Sequence, residues 1–338
     1  MKSTEHVPLA SLTTLKVGGE ALVVAHATTP EEVAEAVALA RERGMPFYAL
    51  GEGSNVLPSD SGYGGVVIRV EIPGLSFVDE GNTTLVTAGA GVSWDYVVRE
   101  AAERSLWGIE NLAGIPGTMG AAPVQNIGAY GADISQTLRY VDAYDASRGA
   151  HIRISAAECR LAYRDSRFKH EPNLIITAVT LSLSKTPAPR IEYGDLLAAK
   201  ERGEDLSTPE AIGNTVRAIR SKKFPDLTEF GTAGSFFKNP VLTPEAYAAL
   251  SAAHGEVPKF PNPDGVKVPL AFILDKVLGL RGFRLGAASL FGAQPLVLVL
   301  DKGGTSTDIE TLAQEVEKQV RDATGIVIER EVRTMPMK

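Results

Sequence analysis

The chain has 338 residues, of which 44% are hydrophobic and 22% are charged, and its formal net charge is −7 at pH 7. One hydrophobic core seldom grows beyond about 250–300 residues, so two or three domains are expected. The acidic balance argues against general nucleic-acid binding, which normally shows a basic patch. Cys159 is the lone cysteine and the five histidines are scattered, which excludes an internal disulfide and disfavours a structural zinc site.

Residues 1–12 are polar and lack the apolar core of a signal peptide, and no run approaches about 18 apolar residues. We therefore expect a cytoplasmic protein that acts as a monomer and has neither a membrane nor a nucleic-acid partner.

The first region predicts a small βαββ-like unit of about 70 residues. A helix is expected after Thr29, since Thr29 suits the N-cap, Pro30 suits the first helical position, and Gly44 ends the apolar periodicity. Strands are predicted over 21–25, 46–50 and 65–70.

The second region predicts a mostly antiparallel sheet, and the third mixes helices with strands. A helix is expected from Ser93 to about Arg104, and another after Thr208-Pro209-Glu210. The strands predicted for the second region are 84–90, 139–145, 150–155 and 174–183. After Phe224-Pro225, helices are predicted near 243–253, 269–278 and 307–323, with strands near 295–300 and 326–329.

Two glycine-rich segments are candidate ligand-binding loops. GEGSNVL at 51–57 follows a strand directly, so it is either a phosphate-binding loop with Ser54 and Asn55 as extra donors, or a tight turn. It matches neither GxGxxG nor GxxxxGK[ST], so neither nucleotide fingerprint is present. Residues 111–131, NLAGIPGTMGAAPVQNIGAYG, carry no charge, whereas a surface loop is normally polar. Backbone packed against a large flat ligand is therefore favoured over an unusual buried connection.

Other candidate residues are ambiguous when taken singly. Ser235 can be a shielded proton donor, although a turn or capping serine is the simpler interpretation. Arg164, beside Tyr163, is more often solvated or ion-paired than catalytic, and the alternating charges of 329–333 are typical of a solvated edge strand. A basic cluster is either a diphosphate site or a solvated helix end: Arg217, Arg220, Lys222 and Lys223.

Four motifs in order resemble the UDP-N-acetylenolpyruvoylglucosamine reductase (MurB) family. They are GEGSNVL at 51–57, GIPGTMGAAPVQNIGAYG at 114–131, YRDSRFK at 163–169 and AGSFFKNP at 233–240, joined by EYGDL at 192–196 and EVR at 331–333. The resemblance runs from about Thr14 to Arg333. The YRDS block with EYGDL resembles the class that keeps a tyrosine loop over its substrate.

The resemblance implies an α+β fold with a two-part FAD-binding fold of the vanillyl-alcohol-oxidase/PCMH type and a C-terminal α/β substrate-binding domain. The two FAD-binding parts are expected over 1–70 and 71–213. The UDP-sugar domain is expected over 214–325, and residues 326–338 are expected to return to the active site.

The same resemblance implies non-covalent FAD, NADPH as co-substrate, and reduction of UDP-N-acetylglucosamine enolpyruvate to UDP-N-acetylmuramate in peptidoglycan synthesis. Hydride would pass from flavin N5 to C3, and Ser235 would protonate C2. Arg164 would stabilise the intervening enolate, with Glu331 as the second stabilising residue. Because a carboxylate repels an enolate, we infer that Glu331 is protonated, or hydrogen-bonded through a proton or water.

The implied contacts come from the matching motifs, and no metal ligand is implied. Tyr163 and Ser166 are expected to help place Arg164. The implied FAD contacts are Gly51, Gly53, Ser54, Asn55, Val56, Leu57, Gly114, Ile115, Pro116, Gly117, Gly120, Ala121, Gln125, Asn126, Gly128, Ala129, Tyr130 and Gly131. The implied substrate contacts are Tyr163, Tyr193 and Lys223 (the last two to the diphosphate), Asn239 and Gln294 (to the uridine end), and Arg281. Phe260, Phe291 and Arg281 depart from the tyrosine, histidine and lysine of some relatives.

Three other functions compete with the reductase interpretation, and the sequence disfavours each. An FAD oxidase of a sugar or alcohol often tethers its flavin covalently, but no histidine lies within 51–131 and Cys159 lies outside the glycine-rich loops. A non-catalytic flavin or UDP-sugar sensor is expected to lack Ser235, Arg164 or Glu331, and all three are present. A nicotinamide-only dehydrogenase needs a GxGxxG motif, which is missing.

Overall fold

The N-terminal sheet is built around parallel strands, with one antiparallel strand at its edge. The computed structural model describes residues 1–335, and Pro261 only by its backbone. The first strands are β1 (Lys2–Pro8), β2 (Glu20–Ala27), β3 (Phe47–Leu50), β4 (Val56–Leu57) and β5 (Tyr63–Val70). The sheet order is β1-β2-β5-β3; β2 and β3 run parallel to β5, and β1 runs antiparallel to β2.

Helix α1 (Pro30–Glu42) covers this sheet and begins where the sequence predicts. The Thr29 side chain accepts a hydrogen bond from the Glu32 N–H, and Pro30 occupies the first turn. Val33, Val37 and the other buried residues of the helix lie on the side that packs against the sheet. The predicted βαββ-like unit is therefore confirmed, although strand β1 was not predicted.

The second sheet is antiparallel, as predicted, with the order β11-β10-β12-β7-β6. The strands of this region are β6 (Leu75–Glu80), β7 (Thr83–Gly89), β8 (Gly128–Ala129), β9 (Ala132–Asp133), β10 (Leu138–Asp145), β11 (Ala150–Ser155) and β12 (Leu174–Ser184). Strand β6 was missed because its polar, half-exposed sequence LSFVDE gives little strand signal. Strands β8 and β9 form a separate hairpin where the uncharged segment ends.

This half of the chain also contains four helices. They are α2 (Trp94–Glu103), α3 (Arg167–His170), α4 (Gly194–Glu201) and α5 (Pro209–Lys223). Ser93 occupies the N-cap of α2 as predicted, but its side chain makes no capping hydrogen bond. Thr208 does cap α5, through the Ala211 N–H. Helix α5 packs against α2 and α4 and then leads into the C-terminal region.

The C-terminal region packs helix α8 against a four-stranded sheet of order β13-β19-β18-β17. Its strands are β13 (Gly231–Ser235), β14 (Val241–Leu242), β15 (Phe260–Asn262), β16 (Gly265–Lys267), β17 (Arg284–Leu285), β18 (Ala288–Phe291), β19 (Gln294–Leu300) and β20 (Arg333–Thr334). Its helices are α6 (Pro244–His254), α7 (Leu270–Phe272) and α8 (Ser306–Thr324). Strands β14, β16 and β15 form a small separate sheet.

One prediction for this region needs correction. The helix expected near 269–278 is present over 270–277, as one α-helical turn, α7, that continues into a π-helical turn at Ile273–Val277. The strand expected over 326–329 is wrong. Its residues alternate between buried and exposed, with Val327 75% exposed, but within residues 1–335 they form no ladder with another strand, and only the Glu329 carbonyl oxygen accepts a backbone hydrogen bond, from the Lys238 N–H. Pairing begins one residue later, as an isolated bridge between Phe237 and Arg330 and then as β20 parallel to β4.

Apolar side chains form two large clusters that meet near the glycine-rich loops. One cluster joins both N-terminal sheets with α1, α2 and α5, and so runs without interruption across residue 70. The other fills the C-terminal region and also takes in Leu15, Val17 and Leu57 from the N-terminal part. The predicted border at 213/214 falls inside α5; the three domain borders remain predictions.

Candidate active site

Two cavities share the glycine-rich loops as a common wall. The first cavity, about 170 Å³, lies between β3, the 51–56 loop, residues 115–125 and the start of β12. The second cavity, about 510 Å³, is walled by residues 114–116, Gln125, residues 127–129, the end of α5 and the end of β13. Ser54, Asn55, Ile115, Pro116, Gln125 and Ile127 line both. An elongated ligand can therefore extend from one cavity into the other along these loops.

The loop at 51–57 presents unused backbone donors to the first cavity. The N–H groups of Gly53, Ser54 and Asn55 donate to no protein atom within residues 1–335. Gly53 has a φ of +68°, and a Cβ there would lie 2.3 Å from the Leu12 carbonyl oxygen, so only glycine fits. Consecutive free N–H groups of this kind form an anion-binding concavity, which fits a pyrophosphate.

Asn55 connects this loop to the other functional segments. Its Nδ2 donates to the Gln125 side-chain oxygen, and also to the Glu331 carbonyl oxygen at 3.3 Å. One side chain thus joins the 51–57 loop, the uncharged 111–131 segment and the C-terminal segment.

Arg164 lies on a turn at the wall of the second cavity, with a left-handed φ of +54°. Its guanidinium donates to the carbonyl oxygens of Gly128 and, at 3.4 Å, Asn126. A Cβ on Gly128 would lie 2.9 Å from Arg164 Nη1, so glycine at 128 makes room for the guanidinium.

Glu331 is the carboxylate partner of Arg164. The distance from Arg164 Nε to Glu331 Oε1 is 3.0 Å, and the two side chains are only 20% and 13% exposed. The Glu331 N–H donates to the carbonyl oxygen of Phe236, the residue that follows Ser235. This hydrogen bond holds the backbone of Glu331 beside the end of β13. The protonation of Glu331 expected from the sequence stays a prediction.

Ser235 ends β13 and lines the same second cavity. The pairing of β13 with β19 is irregular between Thr232 and Ser235, and Gly234 has a φ of +75°. The Ser235 hydroxyl has no hydrogen-bond partner in the described part of the chain. The structure therefore brings the three predicted catalytic residues to one cavity, with the hydroxyl free.

Several predicted contact residues lie outside the two cavities. Tyr163 and Asn239 line a separate groove of about 750 Å³, where the Tyr163 hydroxyl accepts a hydrogen bond from the Asn239 N–H at 3.3 Å. Burial raises the pKa of Tyr163. Lys223 pairs with Asp195 at 2.6 Å, and Arg281 pairs with Asp275 at 2.6 Å. The other predicted contacts that line neither cavity are Leu57, Asn126, Tyr130, Gly131, Tyr193 and Gln294.

The sequence left two interpretations of the basic cluster of α5, a diphosphate site and a solvated helix end, and its residues divide between them. Arg217 and Arg220 line the second cavity, whereas Lys222 is exposed at the helix end. The cluster also has partners that the sequence did not predict. Arg217 pairs with Asp95, and the guanidinium of Arg220 lies 4.4 Å from the ring centroid of Phe224. Nothing in the local sequence around Asp95 distinguishes it from an ordinary first-turn acid that complements the helix dipole.

Comparison with known proteins matches both halves of the chain. Residues 21–155 match the family model of an FAD binding domain. Residues 226–335 match the model of the UDP-N-acetylenolpyruvoylglucosamine reductase C-terminal domain. The reductase of Ralstonia nicotianae is 38% identical over 96% of this chain and 97% of its own. That of Pseudomonas aeruginosa is 37% identical over 97% of both chains.

The chain belongs to the UDP-N-acetylenolpyruvoylglucosamine reductase family.

A solved family structure, MurB from Thermus caldophilus, aligns with 99% of this chain and 100% of its own, with a TM-score of 0.70 and 25% identity. These matches confirm the family, the α+β fold class and the FAD-binding fold predicted from the sequence. Among residues 1–335, no helix has both the length and the apolar composition needed to cross a membrane.

Proposed function

We propose that this reductase-family chain uses NADPH and non-covalent FAD to reduce UDP-N-acetylglucosamine enolpyruvate to UDP-N-acetylmuramate. The supporting observation is that Ser235, Arg164 and Glu331 line one cavity that is continuous with the glycine-rich loops. We also propose that the enzyme acts as a monomer in the cytoplasm, without a nucleic-acid partner.

The residues that would hold FAD form the wall shared by the two cavities. The free N–H groups at 53–55 suit the pyrophosphate, and the uncharged backbone at 114–129 suits the flat ring system. Bound FAD would supply the capacity to accept hydride from NADPH and to pass it to the enolpyruvyl carbon C3. The chain itself would exclude water and hold the reacting sugar beside this wall.

Arg164 would stabilise the negative charge that develops at C2 and the adjoining carboxylate. Its guanidinium is already held by two backbone carbonyl oxygens and by Glu331, so little reorganisation is needed when charge develops. Glu331 would hold Arg164 in place and, if it accepts a proton in the substrate complex, would no longer repel the enolate.

Ser235 would deliver the proton to C2. A serine hydroxyl is a weak acid, so the transfer depends on its position and on nearby positive charge. Its hydroxyl has no competing partner among residues 1–335, and Arg164 lines the same cavity.

An anaerobic spectroscopic titration tests the proposed function. The purified protein is expected to show flavin bands that bleach on addition of NADPH and return on addition of the enolpyruvyl UDP-sugar without oxygen. Bands that only oxygen restores would favour an oxidase on the same fold. A protein that neither contains nor binds a flavin would overturn the proposal.

Lys169 is predicted to support Arg164. Its Nζ donates to the Arg164 carbonyl oxygen at 2.6 Å, which stabilises a turn that places a non-glycine residue at positive φ. Burial lowers the pKa of Lys169, with a smaller contribution from Lys238. We expect Lys169→Met to lower kcat about tenfold or more, since hydrogen bonds to charged groups contribute about 1.5–3 kcal/mol.

The matched control for Lys169 is Arg167→Met, on the same short helix, because the ion pair that Arg167 makes in the described part of the chain is with Glu171 of its own segment. The control is expected to keep kcat within about twofold, as surface pairs at i,i+4 contribute little. Unchanged kcat in Lys169→Met would show that the turn holds Arg164 without this lysine.

Asp195 is predicted to compete with the substrate diphosphate for Lys223. Asp195 Oδ2 lies 2.6 Å from Lys223 Nζ, and the two side chains are 28% and 35% exposed. We expect Asp195→Asn to tighten binding of the UDP-sugar to the oxidised enzyme by up to about fivefold, because partly exposed pairs are weak.

Asp205→Asn makes the same charge change on the exposed connection between α4 and α5, and is expected to leave sugar binding unchanged. Binding is followed by the perturbation of the flavin spectrum at several salt concentrations. Weaker binding in Asp195→Asn would mean that Asp195 orients Lys223 toward the ligand instead.

A further inference from the structure

Gly114 stands at the start of the wall shared by the two cavities, and side chains hold both of its backbone polar groups. Its N–H donates to Asp95 Oδ1 at 2.6 Å, and its carbonyl oxygen accepts from Arg220 Nε at 3.0 Å. Gly114 has a φ of +69°, and a Cβ there would lie 3.3 Å from side-chain carbons of both Arg217 and Arg220. Helix α2 thus binds the N–H of this loop residue, and helix α5 binds its carbonyl oxygen.

Asp95 and Arg217 form the ion pair that joins these two helices. Arg217 Nε lies 3.0 and 3.2 Å from the two Asp95 carboxylate oxygens, and Nη2 lies 2.9 Å from Oδ1. The side chains are only 22% and 19% exposed. Burial of Asp95 opposes its charge, but hydrogen bonds from Arg217 and the Gly114 N–H outweigh burial and lower the pKa of Asp95.

Residues 114–117 form a strip of the shared wall, and Gly117, at the other end of this strip, is held in a similar way. The Gly117 N–H donates to Glu52 Oε2 at 3.0 Å, and its carbonyl oxygen accepts from the Trp94 N–H at 2.9 Å. Between these anchors, Ile115 and Pro116 line both cavities. The position of this strip therefore determines the shape of both cavities at once.

We propose that Asp95 and Arg217 are a positioning pair for FAD. Their ion pair holds the 114–117 strip in the position in which it contacts the cofactor. Asp95 belongs to the helix that follows β7, and Arg217 to the helix that leads toward Ser235. The pair thus couples the cofactor-binding half to the segment that carries the proton donor. This inference rests on the FAD binding in the proposed function, but not on the identity of the sugar.

The test measures FAD release from the holoenzyme. On dilution, released FAD becomes more fluorescent, which yields both the dissociation rate and the Kd. We expect Asp95→Ala to raise the Kd for FAD about tenfold or more, since it leaves Arg217 unpaired and the Gly114 N–H without its acceptor. Asp95→Asn keeps an acceptor for Gly114 but loses the charge, so a smaller increase of about threefold to tenfold is expected. Arg217→Met is expected to resemble Asp95→Asn.

Arg99→Ala is the matched control, because Arg99 contacts the same Asp95 carboxylate at 3.1 Å but is 61% exposed. It is expected to keep the Kd for FAD within about twofold of the wild type. The double variant Asp95→Asn/Arg217→Met is expected to be no worse than the weaker-binding single variant, because both changes remove one interaction.

Unchanged Kd in both Asp95→Asn and Arg217→Met, or fully additive effects in the double variant, would overturn the positioning role. If Asp95→Ala does not fold, these two milder variants carry the test, with circular dichroism to verify their folding. A wild-type protein that binds no FAD would instead overturn the proposed function. The two failures are therefore distinguishable.

Discussion

Ser235→Ala is expected to slow reoxidation of the reduced enzyme by the enolpyruvyl UDP-sugar by about 10²–10⁴-fold, the range typical of a lost general acid. The hydroxyl lines the second cavity and has no hydrogen-bond partner among the residues that the structure describes, so its removal leaves none of their buried groups unsatisfied. Folding and FAD binding should therefore be preserved. Stopped-flow absorbance measures the reoxidation directly, under anaerobic conditions.

Two controls isolate the proton transfer from other effects of the Ser235 substitution. The rate at which NADPH bleaches the flavin should be unchanged, because no proton is delivered to C2 in that half-reaction. Ser221→Ala removes a hydroxyl from the same cavity, but that hydroxyl donates within its own helix, to the Ala218 carbonyl oxygen at 2.9 Å. Its reoxidation rate should stay near that of the wild type. Equal rates in Ser235→Ala and the wild type would assign the proton to another donor.

Arg164→Met is expected to lower the same reoxidation rate by about 10²–10³-fold, the usual cost of losing a preorganised donor to a developing oxyanion. The loss has two parts. The enolate loses its positive partner, and Glu331, only 13% exposed, is left as an unpaired carboxylate. Arg164→Lys should recover part of the rate, since an ammonium keeps the charge but not the forked geometry that engages Gly128, Asn126 and Glu331.

The double variant Arg164→Met/Glu331→Gln separates these two parts. Removing the stranded carboxylate should make the double variant faster than Arg164→Met alone, which is the non-additivity expected of residues in contact. The NADPH half-reaction again serves as the internal control. A double variant slower than Arg164→Met would instead give Glu331 a direct role at C2, independent of its partner.

Local sequence patterns predicted the secondary structure where the local signal is strong. The Thr29-Pro30-Glu31-Glu32 and Thr208-Pro209-Glu210 starts both became capped helices, because the capping hydrogen bond is made within four residues. The four strands predicted for the second sheet also formed within a residue or two of the prediction, whereas β6 was missed. The strand expected over 326–329 failed because a strand needs a partner, and no local pattern shows whether one is present.

The candidate site depended both on sequence motifs and on the tertiary structure. The order of four motifs in the sequence was enough to predict the family, the FAD-binding fold and the three catalytic candidates. Their mutual arrangement was not predictable, because Arg164, Ser235 and Glu331 are separated by some 70 to 100 residues and meet only where β13 and the C-terminal segment pair. The same holds for the partners of charged groups. Asp95 and Arg217 are 122 residues apart. Asp95 alone resembles an ordinary first-turn acid, and Arg217 alone resembles one more charge of a solvated basic cluster.

The sequence by itself therefore determined which chemistry-bearing groups this protein has and which short elements carry them, since capping, periodicity and glycine-rich turns are local properties. Only the tertiary structure decided which of those groups share a cavity, which carboxylate balances which guanidinium, and which loop residue two helices hold in place. The physical reason is that ion pairing, burial and cavity shape depend on distances between segments, and those distances exist only after the two apolar clusters have packed.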